Sequence, residues 1–297
     1  MATEHRQRIA DLAHELAQHG YVADESLAAT LLLAQGLEKP VLLEGEAGVG
    51  KTEAAKALAL SRNTRLIRLQ CYEGLDAHST LYEWNYPRQL LAIKLLELDQ
   101  RSASDKEKDI FSEAYLLKRP LLEALTSEPA AVLLIDEIDR ADEAFEAYLL
   151  ELLSDFQVSI PELGTVHART RPLVILTSNG TRELSDALRR RCLYHYVDYP
   201  DHAKELMIVQ AKVPGAPLAL AKQVVDFVQA LRKHDLRKKP GIAETLDWIS
   251  ALLQLGVNSL DEDGIDIIVQ TLSALVKTQE DRARLSRPVV QNMVAAC

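Results

Sequence analysis

Between residues 40 and 200, short runs rich in Val, Ile and Leu alternate with longer stretches whose apolar residues recur every three or four positions. The runs are Pro40–Glu44, Arg65–Leu69, Ala131–Ile135, Leu173–Thr177 and Leu193–Val197, each with the length and composition of a buried strand. Such strands, separated by helical stretches, predict a mostly parallel five-stranded sheet covered on both faces, a three-layer α/β fold. After Asp201 the strand pattern stops. The segments "DHAKELMIVQAKV", "PLALAKQVVDFVQALRKHD", "IAETLDWISALLQLG" and "GIDIIVQTLSALVK" all carry helical periodicity. They predict an all-helical domain, 201–297, behind an α/β domain, 1–200.

Two segments break this alternation. Residues 71–130 separate the second and third strands by more than one crossover helix requires, and hold the aromatic-rich "LYEWNYPRQL" and "FSEAYLLKRPLLEAL"; they read as an insertion. Residues 156–172, "FQVSIPELGTVHARTRP", alternate around Pro161 and Gly164 and read as a β-hairpin before the fourth strand.

With 297 residues, 47% of them hydrophobic, the chain has enough apolar content for a sizeable core. A net charge of -10 works against non-specific attraction to nucleic acid or to an anionic membrane. The N-terminal "MATEHRQRIADLAHELAQHG" mixes charged and apolar residues at helical spacing, unlike a signal peptide, and no stretch downstream is apolar enough for a transmembrane segment. A cytoplasmic protein is the expectation. Cys71, Cys192 and Cys297 are far apart and form no CxxC pair, which argues against a disulfide framework or a zinc site.

The chemistry concentrates in four places. "VLLEGEAGVGKTEAAKALAL" satisfies GxxxxGK[ST] through Gly45, Gly50, Lys51 and Thr52, after a predicted strand and at the opening of a helix. In that setting Gly45, Glu46, Ala47, Gly48, Val49 and Gly50 form a turn whose N–H groups can cradle phosphates; Lys51 reaches the β/γ-phosphates of ATP and Thr52 offers a hydroxyl to Mg²⁺. The bland alternative is a glycine-rich βα turn with a chance lysine. In "AVLLIDEIDRADEAF", Asp136 and Glu137 sit at the end of the third strand, where the first carboxylate suits Mg²⁺ and the second suits activation of water. On its own the pair would read as an acidic helix start. Asn179 ends the fourth strand, where an amide can hold γ-phosphate and water together; by itself Asn179-Gly180 would be a turn. Arg189, Arg190 and Arg191 lie at a helix-to-strand turn, where a solvated helix end would use one or two of them.

Taken together, Gly45–Thr52, Leu133–Glu137, Ser178-Asn179 and the arginines before the fifth strand, followed by a helical domain, resemble the AAA+ ATPases. "LLIDEIDRADEAFEAYLLELLSDFQVSI" is similar to the MoxR branch of that family, and "RKKPGIAETLDWISALL" with "LYEWNY" to its CoxD-type members. The resemblance implies a three-layer P-loop NTPase core with a helical lid domain, a homo-oligomeric hexameric ring, and ATP hydrolysis coupled to remodelling of a protein client. It implies that Arg190 or Arg191 reaches a neighbouring subunit's ATP, and that Tyr21 and Val22 pack the adenine, though a core role fits those two equally. The CoxD-type likeness implies a metalloenzyme client, such as a molybdenum hydroxylase of the carbon monoxide dehydrogenase kind, and a von Willebrand factor A domain partner. One departure stands out: where relatives carry a lid arginine, this chain has Lys238-Lys239-Pro240-Gly241-Ile242, with Lys239 or Arg237 as substitutes. The insertion and the hairpin are where such proteins contact clients, and Leu81, Trp84 and Tyr86 either grip one or pin the insert to its own domain.

Two other functions compete. A nucleic-acid motor would draw on Arg232, Lys233, Arg237, Lys238 and Lys239. A slowly hydrolysing nucleotide-gated scaffold would follow from the missing lid arginine.

Overall fold

The computed structural model describes residues 2–96, 102–261 and 264–295. Its strands are β1 (Val41–Glu44), β2 (Leu66–Gln70), β3 (Tyr82–Trp84), β4 (Leu116–Lys118), β5 (Val132–Asp136), β6 (Gln157–Ile160), β7 (Gly164–His167), β8 (Leu173–Ser178) and β9 (Leu193–Tyr196). Up to β9 the helices are α1 (Ala2–Gln18), α2 (Glu25–Leu37), α3 (Lys51–Ser61), α4 (Ala77–Leu81), α5 (Tyr86–Leu96), α6 (Ala103–Ile110), α7 (Pro120–Thr126), α8 (Glu143–Asp155) and α9 (Asp186–Arg191). Beyond it come α10 (His202–Lys212), α11 (Leu218–Lys233), α12 (Ile242–Gln254), α13 (Ile265–Thr271), α14 (Gln279–Arg284) and α15 (Arg287–Ala295).

All five apolar runs become strands of one sheet, in the order β2-β5-β8-β1-β9. The pairs β2/β5, β5/β8 and β1/β8 are parallel, with Gln70 opposite Asp136 and Glu44 opposite Ser178. β5 and β8 are buried along their whole length, which explains why they read as unbroken apolar runs rather than as alternating ones. The chain is thus α/β, with a parallel five-stranded sheet, flanking helices and a helical C-terminal part.

Within 71–130 the pattern left a small sheet unread. β3 and β4 pair antiparallel, Tyr82 with Lys118 and Trp84 with Leu116; three-residue strands are too short to show alternation. Leu81 and Trp84 are buried in the same apolar cluster as Leu133 and Ile135 of the sheet, so both pin the insert to the core; Trp84 also meets Phe111 of the insert edge-on at 5.3 Å. Tyr86 is 61% exposed. Residues 97–101 of this segment, and Cys297, lie outside the described residues. β6 and β7 form the antiparallel hairpin of residues 157–167.

By compactness the chain divides into two units. One unit gathers Gly45–Ala57 and the chain from Tyr196 onward with the N-terminal helix; the other joins Ser26–Glu44 to Leu58–His195. The second unit is built on the sheet, with Leu42, Leu133, Ile135, Val174, Leu176, Phe145 and Leu149 in its core. In the first, Val224, Phe227, Val228, Trp248, Leu252 and Val290 form the apolar centre, and the Phe227 and Trp248 rings lie 4.9 Å apart. Burial of each such side chain contributes about 1.5–3 kcal/mol.

A charged pair is buried beside that centre. Arg232 is 7% exposed and Glu205 0%; the guanidinium donates twice to the carboxylate, at 2.6 and 2.7 Å, and its Nε donates to Pro240 O at 2.8 Å. Removing one partner leaves the other's charge without compensation in a low dielectric. Arg232→Met is therefore expected to cost about 3–5 kcal/mol in urea unfolding; a loss under 1 kcal/mol would show that water reaches the pair.

Candidate functional site

In the unit that holds residues 45–57, backbone sterics explain the glycines. A Cβ on Gly45 would lie 2.2 Å from Val197 O, so no other residue fits there without moving the chain. Gly48 and Gly50 have φ of +81° and +97°, which side-chain-bearing residues rarely adopt. The turn ends in α3, whose first residue, Lys51, is 6% exposed and donates from Nζ to Gly45 O at 2.6 Å and Glu46 O at 2.7 Å. The ammonium thus sits over the turn. Val49 anchors the turn by burial, Thr52 is half-buried, and Glu46, Ala47 and Gly48 are exposed.

Tyr21 borders the same turn. Its Cε2 lies 3.7 Å from where a Gly50 Cβ would be, and its phenol is pushed up by burial, with Asp24 and Glu53 adding to the effect. It is 9% exposed, and Val22 is half-buried. The start of α12 also reaches the turn: Ile242 N–H donates to Gly48 O at 2.9 Å, and a Cβ on Gly241 would meet Gly48 Cα, C and O at 2.9 Å.

In the other unit, Asp136 ends β5 and is 3% exposed. Its Oδ1 accepts from Thr177 Oγ1 at 2.5 Å, and its Oδ2 from Arg68 Nε and Nη2 at 2.9 and 2.6 Å. The next residue, Glu137, has φ 55° and ψ 50°, a left-handed conformation unusual for a glutamate. Its N–H donates to Thr177 Oγ1 at 2.9 Å and its carboxylate pairs with Arg140 Nε at 2.7 Å. One hydroxyl of β8 therefore holds both acidic residues at the end of β5.

Asn179 N–H donates to Asp139 Oδ2 at 3.2 Å; Thr181 donates to the same oxygen through its N–H at 3.0 Å and its hydroxyl at 2.6 Å. Burial alone would raise the Asp139 carboxyl, but these donors outweigh it and hold it below the usual aspartate value. Asp139 thereby fixes the loop that carries Asn179.

The three arginines have different surroundings. Arg189 Nη2 donates to Glu44 Oε2 at 2.8 Å, and Tyr194, which also donates to Glu44, lies under the guanidinium at 5.9 Å. Arg191 is exposed, and its Nε donates to Ser154 Oγ at 2.8 Å. Arg190 is exposed, and no polar partner for it is found among the described residues.

Residues 40–192, more than half of the chain, match the AAA domain (dynein-related subfamily). The chain belongs to that family. A relative in Staphylococcus haemolyticus, titled only as an uncharacterized protein, is 28% identical over 242 residues, covering 78% of this chain and 82% of its own. The chaperone protein ClpB of Chlamydia trachomatis serovar D is 31% identical over 149 residues, 49% of this chain and 14% of that protein. Among solved structures, the Thermotoga maritima Holliday junction branch migration motor RuvB aligns with a TM-score of 0.46 and 17% identity, over 87% of this chain and 69% of that one.

Several residues that shape this AAA domain were not legible in the sequence. Arg68, Thr177, Asp139 and Glu44 flank the motif residues, yet no motif assigns any of them a role. Thr177 could have been found from its place in β8, since a polar side chain buried within an apolar strand must find a partner. The described residues contain no group of three or more His, Cys, Asp or Glu able to hold a metal. Thr52 carries a hydroxyl and Asp136 a carboxylate, each an oxygen donor of the kind a hard cation takes.

Proposed function

We propose that this chain is a Mg²⁺-dependent ATPase of the MoxR branch, similar to CoxD-type members, that works as a homo-oligomeric hexameric ring and remodels a protein client. The observation that carries the proposal is the turn at residues 45–51, where two left-handed glycines and a buried Lys51 folded over backbone carbonyls make a phosphate cradle. Gly45–Thr52 hold the triphosphate; Thr52 and Asp136 would hold Mg²⁺, which when bound would offset phosphate charge. Arg68 and Thr177 fix the Asp136 carboxylate. Glu137 takes the proton of the attacking water, and Asn179 orients that water. Tyr21 and Val22 border the base. In this reading, residues 1–200, with the 71–130 insertion and the 156–172 hairpin, bind nucleotide and client, and 201–297 form the lid.

Arg190 is the arginine that acts on a neighbouring subunit. Arg189 is held within its own chain by Glu44 and Arg191 donates to Ser154, whereas exposed Arg190 has no polar partner among the described residues. The client is a metalloenzyme, a molybdenum hydroxylase of the carbon monoxide dehydrogenase kind, and a von Willebrand factor A domain protein is the partner; both rest on the likeness of 237–253 and 81–86 to CoxD-type proteins. The nucleic-acid alternative loses one of its five basic residues, because Arg232 is buried against Glu205.

Lys51→Ala tests the core of the proposal. Its Nζ donates to the loop carbonyls of Gly45 and Glu46; the variant is expected to remain folded and to bind ATP at least about a hundredfold more weakly by calorimetry, as loss of charge-assisted phosphate contacts predicts. Unchanged affinity would refute the phosphate cradle.

A further inference from the structure

The contact between α12 and the phosphate turn has a specific geometry. Ile242 is the first residue of α12, and its N–H is one of the helix-end donors with no partner inside the helix. It donates to Gly48 O at 2.9 Å. Gly241 and Gly48 pack backbone to backbone, because a Cβ on Gly241 would stand 2.9 Å from three Gly48 atoms and one on Gly48 would meet Glu244 Oε2 at 3.1 Å and Gly241 Cα at 3.4 Å. A trans peptide is planar, with its C=O and N–H pointing in opposite directions. Holding Gly48 O on α12 therefore turns the Val49 N–H of the same peptide away from α12.

The start of α12 is itself held from behind. Gly241 N–H donates to Glu244 Oε2 at 3.0 Å, and Thr245 Oγ1 lies 2.8 Å from Glu205 Oε1 and 3.1 Å from Gly241 O. Arg232 Nε holds Pro240 O while its two terminal nitrogens hold Glu205, which also accepts from Gln229 at 2.7 Å. Two consecutive carbonyls, those of Pro240 and Gly241, are thus tied to a buried charged network, and the next N–H is tied to Gly48.

We infer that Ile242, through its backbone N–H, positions the Gly48–Val49 peptide for phosphate binding, with Gly241 making the approach possible and Arg232, Glu205 and Thr245 holding it. The inference rests on the ATP reading of the turn. It assigns to a backbone donor, at the site where the sequence departs from the lid-arginine pattern, the link between the helical part and the nucleotide. Ile242, Gly241 and Arg232 are positioning residues, since none need touch the nucleotide.

Ile242→Pro removes the donor while keeping the backbone path into α12. Proline is well suited to the first helical position, and Gly241, with φ -85° and ψ -172°, already has the extended conformation that a residue before proline requires. Ile242→Val keeps the N–H and is the control for lost packing. The expected result is that Ile242→Pro weakens ATP binding in calorimetry by roughly three- to tenfold, the range for one neutral hydrogen bond. Ile242→Val binds as the parent does, and in steady-state assays the proline variant raises KM for ATP with kcat unchanged. Gly241→Ala supplies a second, steric route to the same loss. Unchanged affinity in folded Ile242→Pro or Gly241→Ala, while Lys51→Ala loses ATP, would overturn the inference and leave the ATP reading standing. Equal loss in Ile242→Val and Ile242→Pro would also overturn it, because packing rather than the N–H would then be responsible. ATP binding that survives Lys51→Ala would overturn the reading and the inference together.

Discussion

Glu137→Gln is expected to keep ATP bound and to lose turnover by about two to four orders of magnitude, the contribution typical of a general base. The substitution preserves size and shape. The Glu137 N–H, which donates to Thr177, is backbone and survives the change, so the end of β5 stays attached to β8. The side chain's ion pair with Arg140 is half-exposed and contributes little to folding. What disappears is the ability to take a proton from water. Single-turnover assays alongside calorimetry separate the outcomes: a collapsed rate with parental ATP affinity supports the assignment, whereas parallel losses of affinity and rate would make Glu137 structural. The trapped protein also suits a pulldown of the client.

Arg190→Ala is expected to spare ATP binding and to lower turnover by about 10³–10⁵-fold, the range for an arginine placed against the transferring phosphoryl group. Arg191→Ala, which removes a hydrogen bond to Ser154, should leave turnover within about twofold, as surface changes of this kind usually do. Mixing provides the decisive test. An Arg190→Ala subunit keeps its own Glu137, and a Glu137→Gln subunit keeps its Arg190, so two proteins inactive alone should recover activity in mixed rings. Mixed assemblies verified by mass spectrometry that stay inactive at every ratio would show that Arg190 does not act across subunits. A large effect of Arg191→Ala with none from Arg190→Ala would move the role to Arg191.

The strands were legible because β5 and β8 are buried on both faces, so that their sequences had to be continuously apolar. Tyr82–Trp84 and Leu116–Lys118 were not, because a three-residue strand carries too few positions to reveal a period and its partner lies across the insertion. Trp84 shows the same limit for single residues. An aromatic in "LYEWNY" suits a gripping loop and a core pin equally, and only its burial in the apolar cluster of the sheet separates them.

By itself the sequence determined the α/β order of elements and the glycine-rich turn at 45–52, since that stretch is contiguous and Gly48 and Gly50 meet local requirements for positive φ. It also placed Asp136 and Glu137 at a strand end, where local apolar patterning sets the position. Tertiary structure alone decided which of the arginines find partners, because Arg189 is tied to Glu44, 145 positions away, and Arg191 to Ser154. It alone brought Arg68 to Asp136 and the N–H of Ile242 to Gly48. Local pattern reports which residues a segment buries, whereas hydrogen-bond partners between distant segments depend on strand order and backbone approach, and these exist only once the chain has folded.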